Sequence, residues 1–141
     1  MTMADNVSNE LNYWAKMEAT KRNLSSIVGD RFIYHLGTDT WGNEIVLMEK
    51  RGAAMARIYW YKDECSTVYL DWLSVSSDFR NHGVGTELQN IREKIGKSLG
   101  ATCSKLLVEK STWMHNWYKR RGYEDLEDYN DEWIWMKKEL L

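Results

Sequence analysis

Val68-Tyr69-Leu70-Asp71-Trp72-Leu73-Ser74-Val75 runs into Ser76-Ser77-Asp78-Phe79-Arg80-Asn81-His82-Gly83-Val84-Gly85-Thr86, after which Val84, Leu88, Ile91, Ile95 and Leu99 recur at helical spacing. A strand-like run, a glycine-containing loop and an amphipathic helix therefore follow one another. A loop of this kind presents the unpaired N–H groups and the positive dipole end of the helix to an anion, and glycine lets a phosphate come close to the backbone. Arg80 is placed to add a charge-assisted contact. The loop is not a Walker sequence, since no Gly-Lys-Ser/Thr closes it. It is not a dinucleotide fingerprint either, since the third glycine is missing. Taken alone, two glycines before a helix also describe a plain structural turn.

Reading outward, Gly100 stops the helix and Lys105-Leu106-Leu107-Val108-Glu109 has the unbroken apolar character of a buried strand in a parallel pair. Trp113 to Arg121 reads as a short helix closed by Gly122, and Glu132-Trp133-Ile134-Trp135-Met136-Lys137 as a last strand. Upstream, Leu11, Trp14, Met17, Lys21, Leu24 and Val28 trace one helical face, which predicts a helix over 8–28, in one or two pieces, stopped at Gly29-Asp30. The period then changes. Phe32-Ile33-Tyr34, Glu44–Met48 and Ala54–Trp60 read as strands, with Gly42-Asn43 and Arg51-Gly52 as turn chemistry between them, so the middle of the chain is an antiparallel meander. The order predicts a mixed α/β (α+β) fold.

Arg80-Asn81-His82-Gly83-Val84-Gly85 resembles the Gln/Arg-x-x-Gly-x-Gly/Ala motif of the GNAT superfamily of acetyl-CoA-dependent N-acetyltransferases, and the order of elements around it is similar. The resemblance covers essentially the whole chain, most specifically 68–123. It implies one domain over 1–141, built on a mostly antiparallel central sheet flanked by helices, with a parallel strand pair splayed at the cofactor site. It also implies that Arg80, Asn81, His82, Gly83, Val84, Gly85 and Thr86 cradle the pyrophosphate of coenzyme A. Asp71-Trp72-Leu73-Ser74-Val75 resembles the family's acid-x-Leu-x-Val strand, which is usually bulged. The backbone around Leu73, Ser74 and Val75 would then bond the pantetheine amides as an added strand does. Ser111 to Tyr123 resembles the second family motif, with Ser111 where an Asn is usual and contacts the cofactor, and Tyr118 where a phenol lies beside the coenzyme A sulfur. The implied activity is direct transfer of an acetyl group from acetyl-CoA to a primary amine, with a homodimer as a further possibility because the final strand is a common pairing edge in the family.

The residues allow that chemistry. A phenol is a weak acid able to give a proton to a departing thiolate, although a Tyr on a short amphipathic helix also serves simple packing. The amine must lose a proton, for which Asp71 and Glu109 are the candidate bases. The alternative for each is a pairing with Lys or Arg, and water alone is a third route. Protein amine, polyamine, aminoglycoside and small metabolite all stay open as acceptors. His35, His82 and His115 lack metal-ligand spacing with each other and with the cysteines, so no metal is expected. Cys65 and Cys103 have no charged setting that marks a nucleophile.

Composition bounds the reading. The chain has 141 residues, 43% hydrophobic and 28% charged, which suits one globular domain and excludes disordered and collagen-like classes. No apolar run approaches the roughly 18 residues of a membrane span. Met1-Thr2-Met3-Ala4-Asp5 lacks the regions of a secretory signal, and two cysteines build no disulfide framework, so a cytoplasmic location is expected. Nineteen Lys and Arg against 21 Asp and Glu give a net charge of -2, which speaks against a nucleic-acid reading built on a basic helix at 92–97 and residues 119–121. Lys119-Arg120-Arg121, with Lys105 and Lys110, either meets the 3′-phosphate of coenzyme A or forms a solvated face. Trp41, Trp60, Trp72, Trp113 and Trp117 either line clefts or pack. A non-catalytic acyl-CoA-binding or protein-interaction module on the same fold is the rival from another class.

Overall fold

The computed structural model describes residues 3–140, with side chains from Ala15 onward except that of Cys65. The readings of Leu11 and Trp14 as core-facing, of the Cys65 environment and of Met1-Thr2 lie outside the described residues. In chain order the elements are α1 (Met3–Val28), β1 (Phe32–Thr38), β2 (Gly42–Glu49), β3 (Ala54–Tyr61), β4 (Glu64–Val75), α2 (Val84–Ser98), β5 (Cys103–Glu109), α3 (Trp113–Arg120), β6 (Glu124–Asp128) and β7 (Trp133–Glu139). Among the described residues the strands form one seven-stranded sheet in the order β1-β2-β3-β4-β5-β7-β6. Every pairing is antiparallel except that of β4 with β5.

Strand alternation puts one apolar row straight across that sheet. Ile45 faces Ile58, Ile58 faces Leu70, Leu70 faces Leu106 and Leu106 faces Met136, all of them buried. Fully burying one such side chain is worth about 1.5–3 kcal/mol, so the row alone strongly favours this register. Val84, Leu88, Ile91 and Ile95 of α2 and Leu99 at its C-cap are all buried in the same core, as their spacing predicts. The helix ends as foreseen at Gly100, in a Schellman arrangement. The Gly100 N–H donates to the Lys97 carbonyl and the Ala101 N–H to that of Gly96. The alternate residues Val46, Met48, Met55, Arg57, Tyr59 and Tyr69 remain half-buried on the other face.

Some expectations need correction. The first helix is continuous and begins before residue 8. Lys21 is exposed, and Thr20 takes its place on the buried face, with its hydroxyl 2.9 Å from that of Ser98. Gly42-Asn43 is not a turn but the start of β2. The reversal falls at Asp39, whose carboxylate accepts from the Trp41 and Gly42 N–H groups. Gly42 is instead demanded by close approach, since a Cβ there would lie 2.2 Å from the Trp60 carbonyl oxygen. The final strand has no free edge, because β5 flanks it on one side and β6 on the other. The sheet ends at β1 and β6. No helix among the described residues is long and apolar enough to cross a membrane.

Candidate functional site

β4 is where the sheet opens. Its parallel pairing with β5 is confined to Thr67–Leu70 against Cys103–Leu106, so residues 71–75 continue along β3 after β5 has left them. The register against β3 slips by one residue between Arg57↔Asp71 and Met55↔Ser74. Trp72 sits in that slip with φ +57°, a left-handed value that is costly for a bulky residue. This is a bulge of the kind the resemblance implies.

The chain then turns through Ser77–Phe79 to α2, whose N-cap is Gly83 at φ +77° with no side chain capping the helix. The first amides of α2 have no intrahelical acceptor and are left to whatever lies in front of them. Gly85 faces the same space. A Cβ built on it would meet only Val75 and Trp117, at 3.8 and 3.9 Å, so packing within the chain does not demand glycine here. Its missing side chain keeps the space in front of α2 clear.

That space is a cleft of about 630 Å³ between β4, the N-terminus of α2 and α3. Leu73, Ser74, Val75, Arg80, Asn81, Gly83, Val84, Gly85 and Thr86 all line it. His82 is exposed and stands outside the lining, as does Ser111. Ser111 has φ +60°, and its N–H donates to His115 Nδ1 at 3.0 Å. The cleft's other wall holds Trp113, Met114, Trp117 and Arg120 from α3, with Phe79 nearer the loop. Met114 and Phe79 were not foreseen, although the positions 113, 117 and 120 share one helical face by spacing alone. Arg80 and Arg120 give the cleft two cations. Arg121 stacks on Trp117 at 3.5 Å and donates to Thr86 Oγ1 at 2.8 Å, tying α3 to the first turn of α2. Trp60, by contrast, is buried core.

Tyr118 is 5% exposed and is not among the residues that line the cleft, and its ring is edge-on to those of Trp117, which does line it, and of Tyr123. Its phenol oxygen accepts from Arg92 Nη2 at 3.2 Å. Arg92 also donates to the Asp71 and Arg57 carbonyls at 3.1 and 3.2 Å, so the phenol and the bulge meet at one guanidinium. The rival nucleic-acid reading uses Arg92 as the start of a basic helix at 92–97, whereas Arg92 is fully buried. Its place in the stripe Leu88, Arg92, Ile95 carried the signal.

The two carboxylates separate. Both Asp71 oxygens accept from Arg57, at 2.7 and 2.5 Å, so this side chain has the arginine partner that the sequence left open as an alternative. The Arg57 guanidinium lies over the rings of Trp72 and Tyr59, at 3.8 and 4.7 Å from their centroids, and its bond to Asp71 raises its pKa above the ordinary range. Glu109 ends β5 and is exposed, and its carboxylate makes no hydrogen bond or ion pair among the described residues. Burial pushes the Cys103 thiol up, away from thiolate chemistry.

A family model described as Acetyltransferase (GNAT) domain matches residues 34–125. No curated protein sequence matches the chain. Among solved structures, a GNAT family acetyltransferase from Elizabethkingia anophelis with acetyl-CoA bound superposes with a TM-score of 0.60 at 13% identity, covering 79% of this chain and 99% of that one. Nourseothricin acetyltransferase gives 0.59 at 14% identity, over 79% of this chain and 85% of that one. The ribosomal-protein-S18-alanine N-acetyltransferase from Escherichia coli gives 0.55 at 17% identity, over 85% and 76%. At these identities the likeness speaks for the fold.

Proposed function

The chain belongs to the GNAT acetyltransferase family, and from that premise we propose that it transfers an acetyl group from acetyl-CoA to a primary amine. The observation that carries the proposal is the cleft itself. An uncapped helix N-terminus with two nearby arginines stands beside a strand stretch that has lost its neighbour, so one groove offers both an anion site and a strand edge with no strand beside it, where the Val75 carbonyl accepts from Arg80 Nε at 3.2 Å. Arg80, Asn81 and residues 83–86 hold the pyrophosphate of acetyl-CoA, chiefly through backbone N–H groups. The backbone of Leu73, Ser74 and Val75 binds the pantetheine arm and aligns the thioester at the gap between β4 and β5.

The amine nitrogen attacks the thioester carbonyl, a C–N bond forms and the C–S bond breaks. Tyr118 gives its phenolic proton to the departing sulfur. The phenolate is made whole by the proton that the amine nitrogen loses, relayed through water, so the reaction is neutral overall. Asp71 is held by Arg57 and serves the bulge, which leaves Glu109 or water to pass the amine proton onward. Tyr118→Phe is expected to lower kcat about 10²-fold while the KM for acetyl-CoA stays within about twofold, in keeping with the usual weight of acid catalysis. Thiol release from acetyl-CoA across a panel of primary amines checks this, and an unchanged kcat would remove Tyr118 from the mechanism. The binding-module reading gains from Asp71 being occupied. It is the one left standing if acetyl-CoA binds and no amine releases thiol.

A further inference from the structure

Arg92 is 0% exposed, and its bonded partners are the Arg57 and Asp71 carbonyls, the Gln89 carboxamide oxygen at 2.6 Å and the Tyr118 phenol. None of them is a carboxylate, and the Nε of the guanidinium has no partner among the described residues. A buried cation with neutral acceptors alone is costly, and packing alone would be better served by an apolar side chain of similar volume. Gln89 is fixed in turn, donating to Glu93 and to the Tyr123 phenol, so Arg92 is held from behind as well as in front.

We infer that Arg92 is the positioning residue for Tyr118: it takes one lone pair of the phenol so that the O–H remains a donor, and it supplies the counter-charge when that O–H gives up its proton. The counter-ion missing from the resting site is the phenolate formed during turnover. The same guanidinium holds the Asp71 carbonyl at the bulge, so donor and thioester gap are set by one rigid group. This rests on the role of Tyr118 proposed above.

The test is a double-mutant cycle of Arg92→Gln and Tyr118→Phe, each in the full chain, with acetyl-CoA and whichever primary amine of the panel releases thiol fastest. Arg92→Gln keeps a polar group for the carbonyls and removes the charge. The expected result is a kcat loss of at least tenfold with the KM for acetyl-CoA within about twofold, and no further loss when Arg92→Gln is added to Tyr118→Phe. Arg92→Lys, which keeps charge and donor, should recover part of the kcat. Ser104→Ala removes the hydroxyl 2.9 Å from the Tyr123 phenol, disturbing the same buried network away from Tyr118, and should leave kcat unchanged. Losses that multiply in the double variant, or an Arg92→Lys chain that folds and is no faster than Arg92→Gln, would overturn the inference. If Tyr118→Phe itself leaves kcat unchanged, the proposed mechanism fails instead, which keeps the two failures apart.

Discussion

Two glycines at the mouth of the cleft are there for different reasons, and substitution separates them. Gly83 has φ +77°, a conformation that costs an L-residue about 1–2 kcal/mol, although nothing lies within 4 Å of where its Cβ would be. Gly83→Ala should therefore lower the midpoint of thermal unfolding by about 3–8 °C, read by circular dichroism, and an unchanged midpoint would mean that the loop relaxes freely. Gly85 has helical backbone and open space before it, so its cost of substitution falls on a ligand in the cleft and not on folding. Asp71 teaches a similar distinction. The carboxylate was readable as a base or as an ion-pair partner, and the antiparallel register that sets Arg57 opposite it supplies the partner, a pairing with no local signature in the sequence.

At the scale of elements, legibility followed periodicity. The apolar stripe of α2, continued by Leu99 at its C-cap, and its glycine stop were plain in the sequence because burial repeats at the helical period and a C-terminal glycine has a specific geometry. Strand β6 was not legible. Its residues Glu124-Asp125-Leu126-Glu127-Asp128 are all exposed, so no alternation marks them, and acidic residues are poor strand formers. It exists as a charged edge on β7, where such residues also discourage pairing with another chain. Tyr118 could be chosen from a motif, whereas its link to Arg92 joins α3 to α2 across the core and has no local signature.

The turn between β2 and β3 carries a prediction at the same scale. The Glu49 carboxylate accepts from Arg51 Nε and from the Arg51 and Ala53 N–H groups. The Arg51 side-chain bond, with those backbone bonds, holds it below its ordinary value of 4.5, against a smaller opposing effect of burial. The folded-state pKa lies below the unfolded one. The stability this gives is therefore fully present above that ordinary value and is lost as pH falls through the folded one. Glu49→Gln should show a lower unfolding midpoint at about pH 6 and a shallower decline toward about pH 3 than the wild type. Parallel declines in the two chains would assign the acid sensitivity elsewhere, with Asp125, held low mainly by His115, the next group to test.

Over the whole molecule, one apolar row across the sheet and one helix stripe fix where everything else must fall. Because α2 packs on the sheet through residues that begin at Val84, its N-terminus comes to rest beside β4 where β5 has turned away. The cleft is thus a consequence of the core, and a ligand that fills it should stabilise the entire fold. The most direct measurement is the thermal unfolding midpoint of the wild type and of Gly85→Leu, with and without acetyl-CoA, beside coenzyme A, ATP and NAD. At about 100 times its dissociation constant a ligand adds about 2.7 kcal/mol, a shift of several degrees here. The midpoint of unliganded Gly85→Leu, read beside that of the wild type, separates any effect of the side chain on folding from its effect on binding. The account predicts a rise with the two coenzyme A species alone in the wild type, and its loss in Gly85→Leu. No rise in the wild type, or an equal rise in both chains, would contradict the claim that this cleft holds acetyl-CoA.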